Sequence, residues 1–230
     1  MITFLSKLFI KDNLNFASPT VRLRYGMLCG AVGIIFNILL FTGKLIAGTL
    51  TGSIGITADA FNNLSDVGSS AITLVGFRLS DTKADKEHPF GHGRFEYIAG
   101  LIVSMAILLM GFELAKTSVD KIIHPEAVTF SFLALGVLLA SILTKLYMFF
   151  YNRGIGKKID SPAMRATAMD SFSDVAATSM VLFSMLIGKW TGWKIDGYAG
   201  LLVAMFIGYT GVRAAKETIS PLLGQPPTRE

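Results

Sequence analysis

Charge, cysteine and histidine are all scarce in this sequence of 230 residues. Only 16% of the residues are charged, against about a quarter in soluble proteins. Hydrophobic residues make up 52%, and the mean hydropathy is +0.56. That balance excludes an ordinary water-soluble domain and points to a polytopic membrane protein. The single cysteine, Cys29, lies in an apolar run, which excludes an intrachain disulfide. No His-Glu-x-x-His element is present, which excludes a zincin protease, and no Gly-x-Gly-Asp element supports an intramembrane aspartyl protease. At the N-terminus Lys7 and Lys11 flank a short "LFI" with no small-residue cleavage site after it, so this is not a signal peptide. It reads as a short interfacial helix or an arm. A net charge of +5 and a pI of about 9.3 raise the question of nucleic acid, but the bases collect between apolar segments. The partner they imply is a lipid bilayer, not nucleic acid.

What the sequence does have is long apolar stretches. Six segments, near 27–50, 54–79, 95–117, 129–151, 163–188 and 196–215, are long enough to cross a hydrocarbon layer of about 30 Å. The expected fold is an all-α membrane protein with six transmembrane helices: an N-terminal arm over 1–26, a six-helix transmembrane domain over 27–216 and a cytoplasmic tail from 217 to 230. Gly26 and Gly30 in "YGMLCG" form a small-xxx-small pair that lets helices approach closely. Basic residues set the orientation. Lys7, Lys11, Arg22, Arg24, Arg78, Lys83, Lys86, Arg94, Arg153, Lys157, Lys158, Arg165, Arg213, Lys216 and Arg229 fall on one side, and only Lys116, Lys121, Lys189 and Lys194 on the other. Both termini are therefore expected in the cytoplasm.

The stretch "TADAFNNLSDVGSS" places Asp59, Asn62, Asn63 and Asp66 inside one of these spans. Asn62 and Asp66 are four apart and share a helix face, and Asp59, seven before Asp66, continues the stripe. In "RATAMDSFSDVAATS" Asp170 and Asp174 repeat the spacing. Two facing helices would then bring four oxygen donors to one point. Packing through polar hydrogen bonds explains a lone Asn or Ser. Three uncompensated acids would cost on the order of 8–10 kcal/mol in a membrane, and a divalent cation is the natural counter-charge. Asn62, Asp66, Asp170 and Asp174 include no Cys or His. Such a hard set suits magnesium, calcium or manganese better than zinc, with water completing an octahedron. Of the remaining charges, Lys44 and Lys145 are each long enough to snorkel to an interface. Lys145 lies well inside its span, where a buried polar contact or a gating role is open to it. Glu113 is expected to be solvated, and Asp196 to favour the N-terminus of the last helix.

These motifs, "TGSIGITADAFNNLSDVGSS", "HPFGHGRFE" and "SPAMRATAMDSFSDV", together resemble those of the cation diffusion facilitators, which export divalent metals in exchange for protons. The resemblance covers all six spans. It implies a transport site of two ligands from the second helix and two from the fifth, falling on Asn62, Asp66, Asp170 and Asp174. Members that carry zinc usually have His in this set, and its absence here implies a manganese exporter, with zinc, iron or cobalt as the alternatives. It also implies a homodimer and a bacterial plasma-membrane location. A small cytoplasmic α/β domain is expected to follow in the family, and this sequence stops about where it would begin, so dimerisation here would rest on the spans.

In the loop "DKEHPFGHGRFE", Asp85, His88 and His92 fall at i, i+3 and i+7. The resemblance implies an accessory zinc there. The alternative is a turn that fixes the third helix, with Arg94 and Glu96 paired locally. Metal binding needs deprotonated ligands, so a proton from outside can displace the ion. Matched pairs at i, i+4 suit a four-ligand cage better than a catalytic dyad, and the expectation is a transporter, not an enzyme. A compact cage also favours binding and release over a channel's free conduction.

Overall fold

The structure is a computed structural model that describes residues 6, 10, 16, 18–51, 54–83, 85–86, 88–89, 91–124, 132–191 and 195–223. Most of the expected N-terminal arm, the side chain of Asp196 and the end of the tail lie outside the described residues. Six long helices follow one another among the described residues: α1 (Pro19–Thr51), α2 (Ile54–Ser80), α3 (Arg94–Ile123), α4 (Phe132–Lys158), α5 (Pro162–Thr191) and α6 (Asp196–Leu223). They run 27 to 33 residues, or about 40–50 Å. The helices exceed the apolar segments because a helix does not end where hydrocarbon ends. α1, for example, starts with Arg22 and Arg24 in its first turns.

Five of the six, α1, α3, α4, α5 and α6, are long and apolar enough to cross a membrane. α2 is not among them, because Asp59, Asn62, Asn63 and Asp66 interrupt its apolar run. Polarity is arranged inside out relative to a soluble bundle. Leu109, Phe112, Leu143, Phe150, Leu202 and Met205 point outward and are exposed. Asn37, Asn63, Asp66, Lys145, Asp170 and Asp174 are buried. Large apolar side chains facing out are what a lipid solvent rewards, and polar groups facing in are what it enforces.

The helices pack as pairs. α3 lies most closely along α6, α1 along α2, and α4 along α5. The α1–α2 contact depends on small residues. A Cβ placed on Gly26 would come within 2.4 Å of the Phe77 ring, and one on Gly30 within 2.9 Å of the Leu74 side chain. Phe77 belongs to a core built with Tyr25, Cys29, Met148, Tyr151 and Met164, so its ring has no room to retreat. The α4–α5 turn is capped by Ser161, whose Oγ accepts from the Met164 N–H at 3.1 Å, and Pro162 occupies the first helical position, where a missing N–H costs nothing.

Arg22 fastens one end of the bundle. Its guanidinium donates to Glu96 at 2.6 Å and to the Ile159 carbonyl at 2.8 Å, tying α1 to α3 and to the α4–α5 turn. Glu96 is thus paired with Arg22 and not with Arg94, as the local reading of the loop expected. The same end carries a cleft of about 1060 Å³ between α4, α5 and α6, lined by Arg153, Lys157, Arg165, Arg213 and Lys216 among others.

Gly26→Val should force α1 from α2. The expected loss is about 1–3 kcal/mol, seen as a lower unfolding midpoint in detergent, whereas Gly43→Ala, where a Cβ would meet nothing within 4 Å, should leave the midpoint unchanged.

Candidate metal centre

The site is set by the register of α2 against α5. Thr73 and Thr167 share a buried hydroxyl–hydroxyl hydrogen bond of 2.8 Å. Each hydroxyl also lies 3.1 Å from a carbonyl one turn back on its own helix. The two helices run antiparallel, so seven residues back from Thr73 and seven on from Thr167 arrive at the same level, about 10 Å away. Those residues are Asp66 and Asp174. Seven residues is two turns, so each Asp stays on the face of its Thr.

Asp66, Asp170 and Asp174 are all buried, and one carboxylate oxygen from each lies within 4.8 Å of the other two. The spacing of the motifs thus brings three of the four expected ligands together. Asn62 stands at their edge, half-buried, and its Nδ2 donates to Asp174 Oδ1 at 3.4 Å. Turning the amide over would present its oxygen instead, the atom a metal needs. Asp170 has no hydrogen bond or ion pair among the described residues, although only 6% of it is exposed. Its carboxylate faces those of Asp66 and Asp174.

The principal group missing from the expected site is Lys145 of α4. Its Nζ lies 2.6 Å from Asp66 Oδ2 and 2.6 Å from Asp174 Oδ2, and its side chain is 3% exposed. The sequence signal was there, a lysine deep in an apolar span, but nothing in a single helix tells which neighbour it faces. Asp59 does not join the cluster. It pairs with Lys44 of α1 at 2.8 Å. Lys44 is buried, at 2% exposure, so it does not snorkel outward; a carboxylate within reach is a better partner than a distant interface. Asn63 turns back to the Asp59 carbonyl at 2.8 Å. Glu113 is exposed, as expected.

Asp85, His88 and His92 also come together, near the start of α3. Asp85 Oδ1 accepts from the His88 N–H at 2.5 Å, and Asp85 Oδ2 lies 3.6 Å from His92 Nε2. The two imidazoles are 4.6 Å apart between centroids. The Asp85–His88 contacts build a turn, without the Arg94–Glu96 pair expected beside it, and the three side chains place two imidazoles and a carboxylate together, a donor set that suits zinc.

Comparison with known proteins identifies the family. The cation efflux transmembrane domain matches residues 31–223. The chain is 31% identical over 199 residues to the uncharacterized transporter MJ0449 of Methanocaldococcus jannaschii, covering 86% of this chain and 70% of that protein. It is 30% identical over 181 residues to the cation-efflux pump FieF of Klebsiella pneumoniae, covering 78% of this chain and 60% of the pump. Against FieF of Cronobacter sakazakii it is 30% identical over 185 residues, covering 80% and 62%. The family match and these relatives mark the chain as a membrane transporter domain, not an enzyme. This chain belongs to the cation efflux family, and it spans about 60% of the length of the FieF relatives.

Thr167→Val removes the hydroxyl that sets the register but keeps the shape of the side chain. Thr73 retains its own backbone carbonyl, so the loss should be small, about 0.5–1.5 kcal/mol, read by reversible unfolding in mixed micelles. A loss beyond about 3 kcal/mol would mean that the register depends on this one bond more than on packing.

Proposed function

We propose that this chain exports a divalent cation, manganese before others, in exchange for protons, and that Asn62, Asp66, Asp170 and Asp174 hold the cation in transit. One observation carries the reading: three buried carboxylates from two helices lie within 4.8 Å of one another in a chain of the cation efflux family. The donors are oxygens throughout. Manganese accepts such a set and keeps water in its remaining positions, while zinc gains most from imidazole and thiolate. Metal binding requires the carboxylates to be deprotonated, so protons arriving from the far side displace the ion, and alternating exposure of one site completes the cycle.

In this reading all six helices cross the membrane, including α2, whose polar stripe faces inward. The basic cleft residues Arg153, Lys157, Arg165, Arg213 and Lys216 support a cytoplasmic placement for that end of the bundle, and with it both termini. The location is a bacterial plasma membrane and the working unit a homodimer. Asp85, His88 and His92 form an accessory zinc site that steadies the start of α3 without touching the cation in transit.

Asp66→Ala and Asp174→Ala should each abolish manganese uptake into proteoliposomes under a pH gradient. The fold should survive, because Lys145 keeps one carboxylate partner in either variant. Retained uptake in both would sink the four-residue site. Asp85→Ala should weaken uptake far less.

Selectivity gives the sharper test. Asp170→His together with Asn62→Asp keeps three carboxylates and adds one imidazole. The site's charge is held nearly constant, so a change in preference reports donor type. Manganese uptake should fall and zinc uptake rise in the double variant, while the parent favours manganese. A parent that already prefers zinc, or an unchanged ratio of the two ions, would contradict the assignment of manganese.

A further inference from the structure

We propose that Lys145 is a tethered rival of the transported cation, competing with it for the same carboxylate oxygens and so setting the threshold that a cation must exceed to be carried. The inference rests on the reading of Asn62, Asp66, Asp170 and Asp174 as the transport site. The first argument is spatial. The ammonium lies 2.6 Å from Asp66 Oδ2 and 2.6 Å from Asp174 Oδ2, a bridging position between α2 and α5. A divalent metal bridging those oxygens would sit about 2.0–2.6 Å from each, in the volume the nitrogen fills. If the metal used the other oxygens of the same carboxylates, it would face a positive charge at close range in a site without bulk water. Either way, metal and ammonium cannot share the position, and binding one expels the other.

The second argument concerns where the ammonium goes. Lys145 comes from α4, so its departure leaves the four oxygen donors of α2 and α5 in place. Ser141 lies one turn earlier on the same face of α4, is 1% exposed, and its Oγ has no hydrogen-bond partner among the described residues. Side chains on a helix lean toward its N-terminus, so a lysine withdrawn from the carboxylates swings toward that hydroxyl. A buried hydroxyl with no partner among the described residues is free to accept from the ammonium, and so offers it a second resting place.

The consequence is a selectivity filter of a different kind from donor type. The lysine is held by two carboxylates at once, and only a cation that binds both more strongly displaces it. A divalent ion meets that demand, and a sodium or potassium ion, with one charge spread over the same contacts, does not. The tether also keeps the site from holding its metal too tightly, because the returning ammonium helps to expel it.

The test is manganese binding by calorimetry on the purified chain at one fixed pH, for the parent and for Lys145→Met, Lys145→Arg and Asp66→Ala. Lys145→Met should bind manganese about a hundredfold more tightly, yet turn over more slowly in proteoliposomes because release is impaired. Lys145→Arg, which keeps the charge, should bind within a few-fold of the parent. Binding by Lys145→Met that equals or falls below the parent's, while Asp66→Ala still abolishes it, would overturn the tethered rival and leave the transport site standing. Binding that survives Asp66→Ala would bring down the site itself. Should Lys145→Met fail to fold, crystals of the parent soaked in manganese decide. Metal on Asp66 and Asp174 with Nζ withdrawn supports the proposal, and metal there with Nζ still on both carboxylates overturns it.

Discussion

Three carboxylates, Asp66, Asp170 and Asp174, are gathered within 4.8 Å of one another in a bundle whose outer surface is made for lipid. Like charges so close and so dry repel strongly, and the rest of the structure is arranged to make that congregation tolerable. Lys145 supplies one positive charge at 2.6 Å from two of them. The Thr73–Thr167 bond holds α2 and α5 at the register where the acids meet. The small-residue face of α1 lets α2 lie close enough to be enclosed. A bundle of apolar helices alone would have no reason to choose this register; the buried polar groups specify it, since any other would leave charges facing lipid.

The same logic explains how α2 is accommodated. It is the one helix of the six that lacks the apolar length of a span, and its two acids sit seven residues apart on one stripe. Each acid is met by a lysine from a neighbour, Asp59 by Lys44 of α1 and Asp66 by Lys145 of α4. Removing Asp59 would leave the buried Lys44 without its carboxylate, and removing Lys145 would leave Asp66 and Asp174 without their cation, each more costly than the pair's own net worth is favourable. The two lysines therefore function as part of α2's environment, and their apparent misplacement in apolar spans is the complement of its polar stripe.

Much of this was legible in the sequence, and the division follows a physical line. Whatever depends on one helix could be read: the apolar lengths, the stripe through Asn62 and Asp66, its echo in Asp170 and Asp174, the small residues at Gly26 and Gly30. These are periodicities, and a helix has a known period. Apart from the facing of α2 and α5 that their matching motifs implied, pairings between helices could not be read. Lys145 and Lys44 stand out in their spans but carry no sign of their partners, Glu96 has Arg94 as a sequence neighbour but pairs with Arg22, and nothing in either segment marks Thr73 and Thr167 as a pair. Each of these depends on the rotation and register of two helices at once, which no pattern along one segment contains. The six apolar segments also ran ahead of the structure at α2, because the polar residues that make the site interesting are those that weaken the helix as a span.

The pairing of helices bears on how such a site operates. α1 packs closely along α2, α4 along α5, and α3 along α6, whereas the direct contact between α2 and α5 is limited. Asp59, Asn62 and Asp66, with Lys44, therefore belong to one closely packed pair, and Asp170, Asp174 and Lys145 to another. The Lys145–Asp66 ion pair and the Asn62–Asp174 hydrogen bond cross the seam between the pairs, while the Lys145–Asp174 ion pair lies within one of them. A rocking of one pair against the other would lengthen the crossing contacts and leave Lys145 with Asp174. The cation in transit, bound to donors from both pairs, would instead draw them together. In the proposed cycle the lysine and the metal thus differ in what they hold: the metal needs all four donors and closes the seam, and the lysine retains a partner on its own side when the seam opens. In that cycle the site would not meet the opening as three bare acids, because Lys145 and Asp174 lie within the same helix pair.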